Sequence, residues 1–169
     1  MNPDRTAELA LRAAGDKGAG VFTGRTYGRG ERILRFRGRR MPLERVRDFT
    51  HVIQVGPTVF LGPSGGIDDF VNHSCDPNAA LRATGGRLEL FALRRLLPGQ
   101  EITFDYSTCI VDEPALDGCL CGSPRCRGRV VAYRDLPPRV RARYARLGAV
   151  PSFVLESVLA PSVVTVQSP

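Results

Sequence analysis

Lysine is almost missing from this chain: of 24 basic residues in 169, Lys17 is the only lysine and the remaining 23 are arginine. An apolar leader is missing too. Met1 to Gly20 carries Asp4, Arg5, Glu8, Arg12, Asp16 and Lys17, which excludes the uninterrupted apolar core of a signal peptide. No apolar run reaches membrane length. The stretch from Gly148 to Val166 is interrupted by Pro151, Glu156 and Pro161, well short of the ~20 residues a spanning helix needs, and is expected to pack on the domain or on a partner. These absences predict a cytoplasmic protein with no membrane association. In a reducing cytosol, five cysteines are better explained by metal binding or reactivity than by disulfides. No internal repeat is visible.

What is present describes one modest domain with an appendage, large enough for an independent core. A hydrophobic fraction of 43% fits an ordinary globular protein, and 18 glycines with 13 prolines favour many turns and short strands over a helical bundle. The formal charge is +7. Two explanations stand for the arginine bias: a coding preference with no functional content, or attraction to an acidic partner such as nucleic acid through summed positive potential.

Apolar runs punctuated by glycine predict strands at 9–13, 20–24 and 31–38. Two hairpins are expected, 52–55 with 59–61 around Gly56-Pro57-Thr58, and 79–83 with 87–93 around Thr84-Gly85-Gly86. Pro42 with Leu43, Val46 and Phe49 at apolar spacing predicts a short helix over 42–49. Glu101 to Tyr106 is a β-prone run, and the polar loop 107–118 after it reads as a hinge or lid. Asp135 is expected to cap a helix over about 137–147 that presents Val140, Tyr144 and Leu147 on one face and stops at Gly148.

Chemistry concentrates in two places. Cys119-Leu120-Cys121 followed by Cys126 puts three thiols in one loop, and Cys75 supplies a fourth ligand for a tetrahedral zinc site with no open position. Such a site is structural, and the competing reading is four free or disulfide-paired thiols. Cys109 is the odd one out, expected as a small packed residue. Beside Cys75 stand Asn72 and His73, so a metal site would pin this polar segment against the C-terminal third of the chain.

The segments Gly18-Ala19-Gly20-Val21-Phe22, Asn72-His73-Ser74-Cys75-Asp76-Pro77-Asn78, Glu101 to Tyr106, and Cys119-Leu120-Cys121 through Cys126-Arg127-Gly128 occur in the order that marks a SET-domain protein with a post-SET zinc loop. The chain resembles a small, bacterial-type member of that family. The resemblance divides it into a SET domain at 6–106, a connecting loop at 107–118, a zinc loop at 119–130 and a C-terminal helix with apolar tail at 131–169. It implies a mainly β fold of small curved sheets with a pseudoknot at the Asn72 segment.

The resemblance further implies methyl transfer from S-adenosylmethionine to the ε-amine of a lysine in a protein substrate. Tyr106 would be the catalytic hydroxyl of the transfer channel. Gly18, Ala19, Gly20, Asn72, His73 and Leu120 would hold the cofactor, with Leu120 against adenine, and Cys75, Cys119, Cys121 and Cys126 would hold structural zinc. Phe104 and His51 would line the substrate channel, Phe104 leaving room for di- or trimethylation. With Lys17 and the α-amine as the only amines, self-methylation at many sites is excluded.

Three departures matter. Asp69 stands where a basic residue is common, His51 falls where many relatives carry a second channel tyrosine, and no cysteine-rich segment precedes residue 6. The first two sustain an alternative: a catalytically silent module that binds cofactor and, through its arginine-rich surface, nucleic acid or an acidic protein. A zinc-knuckle nucleic-acid binder that needs metal and no cofactor is a third class. The oligomeric state is open.

Overall fold

The computed structural model describes residues 8–84, 86–112 and 116–159. Chain segments of two to six residues form five small sheets. Strands β1 (Leu9–Ala13) and β2 (Ala19–Thr23) are an antiparallel pair in the register Leu9 with Thr23. Strand β3 (Arg32–Arg35) flanks the hairpin of β8 (Ala79–Thr84) and β9 (Arg87–Ala92), while β4 (Arg40–Pro42) and β5 (Ile53–Gln54) flank β6 (Val59–Leu61). Both expected hairpins form. In the second, Thr84 pairs with Arg87, and Gly86 takes φ 72° as a tight hairpin turn requires.

Two cores share one sheet. The larger gathers Val21, Tyr27, Ile33, Leu81, Leu90, Leu96, Ile102 and Phe104. The smaller joins Ala80 to Val111, Tyr133, Leu136, Tyr144, Phe153 and Val154. Because side chains alternate along a strand, β8 sends Ala79 and Leu81 into one core and Ala80 into the other.

The sheets meet at a crossing between distant segments. Strand β7 (Asn72–His73) runs parallel to β10 (Thr103–Phe104), Asn72 beside Thr103 and His73 beside Phe104. The buried Asn78 amide continues the pairing: its Nδ2 donates to the Glu101 carbonyl at 2.7 Å and its Oδ1 accepts from the Thr103 N–H at 3.0 Å. Here lies the crossing where the resemblance places a pseudoknot.

Several expectations are corrected. Of residues 42–49 only a single 3-10 turn, Leu43–Arg45, is helical, since Pro42 ends β4 and Leu43 and Phe49 are exposed rather than forming a buried stripe. The run from 101 to 106 is strand only at 103–104, because its partner is two residues long. Residues 107–111 are no hinge: Ser107, Thr108, Cys109 and Val111 are buried, and Val111 N–H donates to the Gln54 side chain. Leu116–Asp117 (β11) then pairs with Arg129–Val130 (β12).

Among the described residues the C-terminal segment holds two helices where one was expected, α1 (Pro138–Arg146) and α2 (Ser152–Leu159). Asp135 does not cap α1; it sits in a 3-10 turn, Tyr133–Asp135, and Pro137 occupies the cap position. Gly148 ends the helix at φ 58° as expected. Pro151 precedes α2 without breaking it, because a proline at a helix start lacks only an N–H that has no intrahelical partner there, and Glu156 faces outward. Residue 6 and residues 160–169 lie outside the described residues, so the ends of the expected divisions at 6–106 and 131–169 do as well. Among the described residues no helix is long and apolar enough to cross a membrane.

Candidate active site and metal centre

A cavity of about 750 Å³ opens beside the crossing, lined at one end by Lys17, Ala19 and Asn72 and elsewhere by His51, Phe70, Phe104 and Tyr106. Of the residues expected to hold cofactor, Ala19 and Asn72 border the same space as Phe104, His51 and Tyr106, while Gly18, Gly20, His73 and Leu120 are not in its wall.

At the first end Asn72 Nδ2 donates to the Ala19 carbonyl and to Glu101 Oε1, both at 2.9 Å, and Lys17 forms an ion pair with the same carboxylate. Gly20 makes this packing possible. A Cβ there would lie 2.8 Å from Glu101 Oε1 and 2.9 Å from both Asn72 Nδ2 and the Ala14 methyl. The glycine therefore admits Asn72 and Glu101. Gly18, at φ 78°, occupies a backbone conformation that side chains rarely adopt.

At the other end Tyr106 Oη donates to the Val71 carbonyl at 2.8 Å, and its ring stacks at a tilt on Phe104, 4.8 Å between centroids. Burial pushes the Tyr106 phenol well above its ordinary range, with Cys109 and Glu101 adding to the rise. It works as a neutral hydroxyl. Phe104 is 3% exposed and packs edge-on against Phe36 while still bordering the cavity. It is at once core and wall.

His51 adopts φ 56°, the one positive value outside glycine among the described residues. Its Nδ1 must donate to the Asp69 carbonyl at 2.6 Å, which leaves Nε2 as the ring's acceptor. The Asp69 carboxylate is taken up by the N–H groups of Ser64 and Gly65 at 2.9 and 2.8 Å. This departure from the family pattern is a loop cap whose backbone holds His51.

His73 turns away from the cavity. Its Nδ1 accepts from the Tyr106 N–H at 3.2 Å, so Nε2 carries the proton and faces Cys75 Sγ at 3.3 Å. Burial, partly offset by Asp105, lowers the imidazole to about 4 and keeps it neutral. The ring links the cysteine cluster to the backbone of the tyrosine.

The sulfur atoms of Cys75, Cys119, Cys121 and Cys126 all lie within 4.8 Å of one another, with 3.8 Å between the first two. Tetrahedral zinc, with Zn–S near ~2.3 Å, sets its sulfurs about 3.8 Å apart, so the four thiols fit that ion. Burial raises the Cys75 and Cys119 thiols. Burial also pushes Cys121 up, but backbone N–H groups at Cys75 and Ser123 and the neighbouring thiols outweigh it and bring it to about 7. Cys109 stands apart: it is buried and donates to the Tyr106 carbonyl at 3.2 Å.

Leu120 sits between two of the four cysteines. It is 59% exposed and outside the cavity wall. Leu116 borders the cavity instead.

Sequence reasoning missed the carboxylate that joins these parts. Asp105, 1% exposed, accepts from Arg127 Nη2 at 2.8 Å, from Tyr144 Oη at 2.7 Å and from the Ser107 N–H at 3.1 Å. Arg127 follows the last cysteine and its N–H points at Cys75 Sγ at 3.4 Å. The site is thereby clamped to the zinc loop and to α1. The only signal in the sequence was the expected burial of the Tyr144 face.

The family model for the SET domain matches residues 18–107, more than half of the chain. A histone-lysine N-methyltransferase of Cryptococcus neoformans, H3 lysine-4 specific, is 41% identical over 69 residues, which is 38% of this chain and 5% of that protein. Histone-lysine N-methyltransferase ash1 of Drosophila melanogaster is 33% identical over 129 residues, 67% of this chain and 6% of that one. The chain thus spans only a small fraction of these relatives. Among solved structures, that of KRYPTONITE in complex with mCHH DNA, H3(1-15) peptide and SAH superposes with a TM-score of 0.62 at 23% identity, covering 72% of this chain and 29% of that one. With a family model matched over more than half of its length, the chain belongs to the SET domain family.

Proposed function

We propose that this chain transfers a methyl group from S-adenosylmethionine to the ε-amine of a lysine in a protein substrate. The observation that carries the reading is the single cavity bordered by Ala19 and Asn72 at one end and by Tyr106, Phe104 and His51 elsewhere. Bound at the first end, the cofactor supplies an electrophilic methyl on a sulfonium. The amine lone pair forms the N–C bond as the C–S bond breaks, giving methyl-lysine and S-adenosylhomocysteine.

The residues of the chain act on the amine. A free lysine ammonium has a pKa near ~10.4, and the apolar wall of Phe36, Phe104 and Val71 favours its neutral form by desolvation. The proton leaves to solvent through the open side of the cavity. Tyr106, held by Val71, orients the amine, and orientation of this kind supplies much of a bimolecular barrier. The room left by Phe104 accommodates a second and third methyl.

The substrate is a basic segment. Asp48, Asp68, Asp69 and Asp112 border the cavity against Lys17 and Arg37, in a chain of net charge +7. Asp48, Asp68 and Asp69 accept N–H and hydroxyl donors from the loops around the cavity, and four acidic side chains border it against two basic ones. The histone-lysine methyltransferases among the relatives support such a substrate class. Five free thiols fit a reducing, cytoplasmic location.

Zinc-loaded protein with labelled cofactor and lysine peptides flanked by arginine or by glutamate tests this. Transfer to the arginine-flanked set, lost in Tyr106→Phe, is expected. Cofactor binding with no transfer to any basic protein of a broad panel would establish the silent module instead.

A further inference from the structure

A second groove, of about 460 Å³ and sharing no wall residue with the first, lies between the 75–78 turn, the zinc loop and α1. Arg94, Arg125, Arg143 and Arg146 border it together with Leu93 and Leu147. One carboxylate stands among the four and pairs with two: Asp76 Oδ1 lies 3.4 Å from Arg125 and 3.2 Å from Arg143. Arg94 and Arg146 make no ion pair among the described residues. The guanidiniums come from three separate chain segments, so their convergence is a property of the fold and no run of arginines in the sequence announces it.

We infer that this groove binds the phosphate backbone of a nucleic acid. Guanidinium forks match phosphate oxygens in pairs and stay charged at every physiological pH. Duplex nucleic acid carries one charge per about 1.7 Å of axis, dense enough to engage several arginines of one groove together. The carboxylates of an extended acidic peptide recur on one face only every ~6.6 Å. The aspartates at the first cavity repel the same phosphates, which directs them here. At most about 14 Å of extended chain separates Asn72 at the cavity from Asp76 at the groove. The two sites, of opposite sign and so close, suit a basic protein met while it is bound to nucleic acid. That last statement rests on the proposed methyl transfer, whereas the groove's ligand does not.

The test uses the full zinc-loaded chain and a short labelled DNA duplex, read by fluorescence anisotropy between about 50 and 200 mM salt. Arg94→Gln with Arg146→Gln is compared with a charge-matched double variant, Arg35→Gln with Arg45→Gln, whose positions border neither cavity. The groove pair should weaken binding about tenfold and flatten the slope of log K against log salt by roughly 2, with the control pair costing far less. Equal losses in both variants would reduce the effect to overall charge and overturn the site. Tighter binding of an acidic peptide of equal charge, or no duplex binding at low salt, would overturn the ligand. Unchanged zinc content in both variants verifies folding. Duplex binding without methyl transfer would leave the groove assigned and the enzyme reading refuted.

Discussion

Tyr144 on α1 donates its hydroxyl to Asp105 at 2.7 Å, one residue before Tyr106. The contact ties a helix outside the SET-matching segment to the residue that precedes the channel tyrosine. Asp105 also takes the Arg127 guanidinium and the N–H that starts the turn carrying Tyr106. A buried charge of this kind persists only because its donors surround it.

Tyr144→Phe should therefore cost about 1–3 kcal/mol of stability, and Arg127→Met about 3–5 kcal/mol because it leaves the buried charge without its cation. Urea denaturation of zinc-loaded protein measures both. Equal and negligible losses would mean that Asp105 is not the joint between zinc loop, helix and site.

Zinc binding should release protons and weaken as pH falls. The Cys75 and Cys119 thiols are raised by burial, so at pH 7 they enter as thiols and must lose their protons to the metal. Below about 7 Cys121 joins them, and the dependence on pH steepens. Competition with a chromophoric chelator between pH 6 and 8 reads it. One zinc per chain is expected, unchanged in Cys109→Ala and lost in Cys75→Ala.

Gly20→Ala should impair cofactor binding more than folding alone explains. The added methyl would meet Asn72 Nδ2 and Glu101 Oε1 inside 3.0 Å, and these side chains are held by their own partners. Calorimetry with S-adenosylmethionine should show at least about a tenfold loss, near ~1.4 kcal/mol. Wild-type affinity in the variant would separate the Asn72–Glu101 contact from the cofactor end of the cavity.

Phe104→Tyr should lower the number of methyl groups added, because the new hydroxyl enters the space beside Tyr106. Mass spectrometry of the product peptide would shift from di- or trimethyl toward monomethyl. An unchanged distribution would leave Phe104 as a core residue only.

Strand and turn placement in the first two thirds was legible because it depends on local signals: the 9–13 strand, both hairpins and the stop at Gly148 all form. The cysteine cluster was legible as well, since thiol spacing restricts what those residues can do together. The helix expected at 42–49 failed for the converse reason, as its apolar spacing meets no core to bury it. Helix α2 was missed because Pro151 and Glu156 look like breaks until their positions before the helix start and on its outer face are known.

By itself, then, the sequence determined the family motifs, the four sulfur ligands and the mainly β character, all carried by residue type and short-range spacing. Tertiary structure alone decided that Leu120 faces out, that His73 bonds Cys75 rather than bordering the cavity, and that Asp69 caps a loop. It alone joined Asp105 to Arg127 and Tyr144, and four scattered arginines into one groove. Side-chain direction and long-range pairing depend on which surfaces the folded chain brings together, and no local pattern encodes that.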